Sequence, residues 1–418
     1  MPTGDGLLAR VHPPLGILSA AQLRAVAEGA RRYGNGHIDI TARGNLQIRG
    51  VSNETACALA AHLTDTRLGD VRADGGPQRL TMTSPLADCD PDALIDAIAL
   101  AREIEAVGLT IAGLPAKMLV AIESGGQWGL GASEADLLIR PTGRDRVAIG
   151  LATDAEALWM PEVALDEVPA LLGRMLNAFV TTEHRRMRDL DSEEQATICA
   201  VCSEPARASP SPLGGRGEKV GTREAETTTA ILDVGLAHLP AVTAVVVEAP
   251  FGRCDTSGFE LLAQTAAPAE GGLETSASRG FVIVFSEPKE ARVALDALAT
   301  AGFITDPADP RRAVAACPGA PACASGTTPV QDHAASLAKA FAPFAARGLT
   351  AHVSGCGKGC AHPRPADLTL VAEDGRYRAA LDGAPGDAQQ APCLTFEAAL
   401  DRVRRADPAR SLAGAFPS

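Results

Sequence analysis

The chain has 418 residues, a formal net charge of −13 and only 3% aromatic residues. That length allows two to four domains with their own cores, built here mainly from Ala, Val, Leu and Ile. The acidic balance argues against nucleic acid as the main partner, and no apolar run reaches the roughly 18 residues of a membrane span. Residues 1–14 lack a basic segment followed by an apolar one, so no signal peptide is expected and the chain is placed in the cytoplasm.

In chain order, a turn at Val11 to Gly16 leads into a helix-like run over 21–34 and a strand-like run over 37–51. The same succession returns after residue 240: a turn ending in Pro250-Phe251-Gly252, a helix-like run over 259–266 and a strand-like run over 273–285. Pro14 and Arg43 stand as far apart as Pro250 and Arg279, and glycine follows each arginine. Further on, 78–86 lies over 311–319, pairing Arg79 with Arg312 and Ser84 with Cys317. Residues 114–122 lie over 349–357, pairing Lys117 with His352, and Asp136–Ile139 lie over Asp367–Leu370. Four matches in one order point to a gene duplication. Between the halves, 203–230 is rich in Ser, Pro, Gly and charge and reads as a flexible surface linker.

Ten cysteines in a cytoplasmic chain are thiols or metal ligands, not a disulfide framework. Four form two tight pairs: Cys317 and Cys323 with five residues between them, then Cys356 and Cys360 with three. Four thiolates on two Gly- and Pro-rich loops suit a [4Fe–4S] cubane, whose four irons each take one ligand. Structural zinc is the rival, but its paired cysteines normally enclose two to four residues. The remaining cysteines read mostly as small buried apolar residues, and Cys199 and Cys202 have no partner pair nearby. The first half carries Ser84 where the second carries Cys317, so a cluster is expected in one half only, with a shared cleft for something larger.

The spacing of the cysteine pairs, behind an Arg-containing strand in a duplicated chain, resembles the sulfite and nitrite reductase family. Within it, Ser84–Ala87, Leu114–Met118 and His352–Pro363 look like the precorrin-3B synthase branch. The resemblance implies an α+β fold of two ferredoxin-like half-domains and two α/β modules, one of which carries the cluster. The boundaries expected are 1–66 for half-domain 1, 67–202 for the α/β module without cluster, 203–230 for the linker, 231–306 for half-domain 2, and 307–418 for the cluster-binding module.

The resemblance also implies an activity: oxygen-dependent monooxygenation of precorrin-3A to the hydroxylated γ-lactone precorrin-3B, in aerobic cobalamin biosynthesis. Implied with it are a mononuclear non-haem iron, an electron-donating reductase fed by an NAD(P)H-derived external reductant, and a monomer, since the pseudo-dimer lies within one chain. The alternative is a sirohaem-dependent sulfite or nitrite reductase, in which Cys360 would bridge the cluster to sirohaem. That alternative is weakened at Leu119, where the reductases carry a second lysine. A cluster-bearing electron carrier without turnover is a third reading.

A polycarboxylate tetrapyrrole needs several cations, preferably arginine, which grips carboxylate with two parallel hydrogen bonds. The expected substrate residues are Arg43, Asn45, Gln47, Arg79, Lys117, Arg279 and Arg312, with Arg49, Arg253 and Lys358 as further candidates. Arg43, Arg79, Lys117 and His352 are the expected catalytic residues. His352 and His362 flank the second cysteine pair, where either could ligate the mononuclear iron or bind a carboxylate.

Overall fold

The turns at Pro14–Gly16 and Pro250–Gly252 are built alike. Each is a single 3-10 turn whose middle residue is left-handed: Leu15 at φ 55° and Phe251 at φ 54°. The structure is a computed structural model describing residues 1–131, 134–154, 156–201, 230–269, 271–410 and 412–416. The expected linker lies almost wholly outside these residues, as does Cys202. Among the described residues, no helix is long and apolar enough to cross a membrane. The chain divides into two compact units, Met1–Gly69 with Asp233–Ser418, and Asp70–Leu232.

Among its described residues, the first unit holds three sheets. One orders the strands Pro2–Thr3, Gly6–Val11, Leu46–Val51, His37–Ile40 and Arg253–Asp255. The next orders Gly235–His238, Thr243–Glu248, Gly280–Phe285, Leu273–Thr275 and Ile17–Leu18. Each sheet thus ends on a short strand supplied by the other half, and all its neighbours are antiparallel. Helix Ala20–Tyr33 starts at a Ser19–Gln22 capping box, and Leu23, Val26, Ala27 and Ala30 recur at helical spacing on its buried face. Helix Thr256–Thr265 starts on the Asp255 side chain and buries Phe259, Leu262 and Ala263. Both helices and both sheets feed one core, in which Phe281 meets Phe259 and Phe303 edge-on.

The turn between the paired strands corrects one sequence equivalence. Gly44 closes its turn onto Thr41 at φ 63°, and Arg279 closes the matching turn onto Ser276 at φ 63°. Arg279 therefore stands where Gly44 stands, one place away from the Arg43 position. The equal spacing from the prolines is absorbed by the segment between them. Arginine in the left-handed region is uncommon and costs on the order of 1 kcal/mol, so its side chain is expected to have a use there.

The third sheet runs Val314–Ala316, Ala351–Ser354 and Ala366–Glu373 in parallel, then Arg376–Gly383 antiparallel. Helices Val330–Ala345 and Phe396–Arg405 contribute to its core. The second unit repeats this order with Thr81–Thr83, Val120–Ile122 and Leu137–Pro141 parallel, then Arg146–Leu151 antiparallel. Asp136 accepts from Leu119 N at 3.0 Å in one sheet, and Asp367 from Thr350 N at 2.8 Å in the other. This register makes Ala121, not Lys117, the counterpart of His352: both sit one place after the first residue of the second strand. Lys117 precedes its strand and is exposed.

Candidate functional site

The cysteine pairs fall at the ends of two adjacent parallel strands. Cys317 follows Val314–Ala316, and Cys356 follows Ala351–Ser354. Cys317 is buried, Cys323 and Cys356 are half-buried, and Cys360 is exposed. Gly355 N donates to Cys317 Sγ at 3.1 Å. A Cβ on Gly355 would lie 3.3 Å from that sulfur and from Gly326 Cα, so the backbone approaches the thiol as closely as it does because the residue is glycine. Burial pushes the Cys317 thiol up, the Gly355 and Gly319 amides pull it down, and charge on Cys323 and Cys356 pushes it up again. Three thiols therefore share one electrostatic neighbourhood.

The two antiparallel sheets each hold one cysteine loop. Arg49, 2% exposed, donates to Asp5 at 2.9 and 3.0 Å, to Asp39 at 3.1 Å, and to the carbonyl of Ala322 in the first loop. Gly4 N donates to that same carbonyl at 3.2 Å. Arg279 Nη2 donates to the carbonyl of Ala361, just past Cys360, at 3.1 Å. Lys358 Nζ donates to Ser325 Oγ at 3.2 Å and ties one loop to the other. The left-handed Arg279 thus holds the second loop, and the buried Arg49 the first.

Other candidates are placed as follows. Arg253 is spent on Asp39, with hydrogen bonds of 2.6 and 3.1 Å. Arg312 bridges Glu248 at 3.1 and 3.2 Å and Asp233 at 2.8 Å, so its guanidinium is engaged by two carboxylates. Arg43 sits in the turn after His37–Ile40, half-buried, with Asn45 and Gln47 beyond it. Asn45 Oδ1 is buried and without a partner. In the second unit Arg79 is buried just ahead of Thr81–Thr83.

His352 is fully buried on the strand leading to Cys356, and neither ring nitrogen has a partner. Its ring meets His362 edge-to-face, centroids 5.8 Å apart. Burial, then His362 and Arg279, push its pKa down to about 4, so it is neutral near pH 7. Among the described residues, no three His, Cys, Asp or Glu side chains converge to hold a single metal ion. A cubane asks for something else: four thiolates spread around four irons.

Sequence reasoning missed the residues behind the first loop. Gln331 Nε2 donates to Cys317 O at 3.1 Å, and Ala320 N donates to Thr328 O at 2.8 Å. Tyr377 OH donates to Thr328 Oγ1 at 2.7 Å. Only the position of Gln331 and Thr328 close to Cys323 hinted at this support; nothing in the sequence brought Tyr377 to them.

Residues 1–65 match the nitrite/sulfite reductase ferredoxin-like half domain. The chain is similar to the structure of the Mycobacterium tuberculosis NirA protein, with a TM-score of 0.71 at 20% identity, covering 97% of this chain and 82% of that one. It has the NirA-like fold of ferredoxin-like sheets with mixed α/β modules. It is 32% identical over 397 residues to a precorrin-3B synthase from Sinorhizobium, covering 92% of this chain and 81% of that protein. It is 31% identical over 195 residues to a ferredoxin–nitrite reductase from Synechococcus elongatus, covering 44% and 36%. The chain belongs to the nitrite and sulfite reductase family of redox enzymes. Within that family it is homologous to precorrin-3B synthase.

Proposed function

We propose that the chain is an oxygen-dependent monooxygenase that converts precorrin-3A to precorrin-3B and carries one [4Fe–4S] cluster on Cys317, Cys323, Cys356 and Cys360. The observation that carries this reading is the similarity to the Sinorhizobium precorrin-3B synthase over 92% of the chain. The nitrite reductase match, by contrast, covers 36% of that enzyme. The shared strand order and hydrogen bonds of the two α/β modules support descent from one duplicated unit.

The chemistry of the donor set supports a cluster. All four donors are thiols, three share one electrostatic field, and a backbone amide already points at Cys317 Sγ. When bound, the cluster supplies single electrons drawn from an external donor, a ferredoxin or a reductase. The chain's own residues do the rest. Arg49 and Arg279 fix the loops, and burial of Cys317 keeps water from its sulfur. Arg43, Asn45, Gln47, Arg79 and Lys117 are the residues proposed to bind and orient the substrate carboxylates. Arg312 leaves this set, because its guanidinium is held by Glu248 and Asp233. His352 stays neutral, with one ring N–H to donate and one nitrogen to accept. No step is assigned to a mononuclear iron, since no set of ligands for one converges among the described residues.

The test is anaerobic purification with iron, sulfide and extractable tetrapyrrole assayed on one sample, followed by turnover of precorrin-3A with dioxygen and a reductant. Iron and sulfide without sirohaem, and formation of the hydroxylated lactone, are expected. Stoichiometric sirohaem would make the enzyme a reductase of sulfite or nitrite.

A further inference from the structure

A chain of hydrogen bonds leads from the half-exposed side of helix Val330–Ala345 to the first cysteine loop. His333 Nδ1 lies 2.7 Å from Tyr377 OH, which donates to Thr328 Oγ1 at 2.7 Å. A phenol has one proton, and here it goes to Thr328, so the tyrosine oxygen accepts from His333 Nδ1–H. That leaves Nε2 as the site that gains or loses a proton. Tyr377 is fully buried and Thr328 is 2% exposed. Thr328 holds the loop through Ala320, and the tyrosine hydroxyl feels charge on Cys317. The imidazole ring lies flat on Phe396, 3.9 Å away at 10°. The charged groups acting on it are Asp332 on its own helix and Glu397 on helix Phe396–Arg405. Nothing in the binding of substrate carboxylates needs this relay.

We propose that the His333–Tyr377–Thr328 chain couples protonation of His333 to one-electron reduction of the cluster, an inference that rests on the cluster reading above. One electron from an external one-electron donor is taken up at the cluster. One proton from solvent is taken up at His333 Nε2, giving an imidazolium, and no bond to carbon forms or breaks. The added negative charge favours the imidazolium through oriented dipoles in a dry interior, where such interactions are strong. His333 therefore holds its proton to higher pH in the reduced protein than in the oxidised one. Between those two pH values the midpoint potential falls as pH rises, by up to about 59 mV for each tenfold drop in proton activity. His333 acts as a positioning residue for the electron-accepting site and touches neither substrate nor cluster.

The experiment is a potentiometric titration of the full-length holoprotein, followed by electron paramagnetic resonance, at intervals between about pH 5 and pH 8, the range of histidine. Iron and sulfide are assayed on each sample. The wild type is expected to show a sloping potential. His333→Gln keeps a donor to Tyr377 but has no titrating ring, and should give a flat one with unchanged iron and sulfide. Tyr377→Phe, which interrupts the relay while keeping the ring, should shrink the slope. It decides the matter if the glutamine variant loses its cluster. A wild-type potential independent of pH, or an unchanged slope in both variants, with the cluster intact, overturns the inference alone. Absence of iron and sulfide from the wild type overturns the cluster reading, and the inference with it.

Discussion

Ser84 and Cys317 occupy one position of two like sheets. Each follows the first parallel strand, and each accepts a backbone amide from just beyond the second: Ser124 N to Ser84 Oγ at 3.0 Å, and Gly355 N to Cys317 Sγ at 3.1 Å. The same backbone geometry therefore serves an oxygen in one module and a sulfur in the other. Cys317→Ser should fold normally, because Ser84 shows that a hydroxyl satisfies that amide, but it should lose most of its iron and sulfide. Circular dichroism and metal assay on one preparation check both halves of this expectation. Ser84→Cys should leave iron content unchanged, since the segment Ala87 to Cys89 supplies no matching pair.

Arg49 is the second test. Its guanidinium, buried between Asp5 and Asp39, also holds the carbonyl of Ala322. Truncation to alanine strips Asp5 of its cation and leaves Asp39 with Arg253 alone, and removing one partner of a buried pair costs about 3–5 kcal/mol. Arg49→Lys should recover little of this, because one ammonium cannot form the paired contacts to Asp5 while reaching Asp39 and Ala322. Urea denaturation measures the stability. Cluster retention in the folded fraction reports on the first loop, and normal stability in the alanine variant would refute the clamp.

The two cysteine pairs were legible because a tight spacing marks them in the sequence. The repeated turns were legible too, since proline and glycine announce them. The register within the repeat was not. Arg43 and Arg279 align on the page, yet the turns place Gly44 with Arg279, because equal spacing from a proline does not fix where a helix ends. Arg49, Arg253 and Arg312 looked like cations awaiting an anion. Their carboxylate partners, Asp5, Asp39, Glu248 and Asp233, lie up to hundreds of residues away along the chain, or across a sheet. Tyr377 reaches Thr328 only through the third sheet, a contact that no local pattern encodes.

The proposed substrate cations supply the next test. Arg312→Ala should alter stability by about 1–3 kcal/mol, the range for losing a half-buried pair with charged hydrogen bonds. It should leave tetrapyrrole affinity nearly unchanged. Arg43→Ala, Arg79→Ala and Lys117→Ala should each weaken binding several-fold, as removing one charged contact to a carboxylate does. Absorbance titration with an anionic tetrapyrrole separates the two classes. An Arg312→Ala variant with the largest loss of affinity and unchanged stability would return that residue to the binding set.

His352 makes the protein acid-sensitive in a defined window. Its folded pKa of about 4 lies below the ordinary 6.5, because burial disfavours the imidazolium. Above pH 6.5 the ring is neutral in both folded and unfolded chains and contributes no pH dependence. Between 6.5 and 4 the unfolded chain binds a proton that the folded one refuses, so stability rises with pH there and is lost on acidification. Below about 4 both states are protonated and the loss stops growing, at on the order of 3 kcal/mol. Replacement by glutamine removes the titration. Its stability, measured by urea denaturation across that range, should fall less steeply toward acid than the wild type's, even if it starts lower. Parallel curves would mean that His352 already holds a partner for its proton in the folded protein.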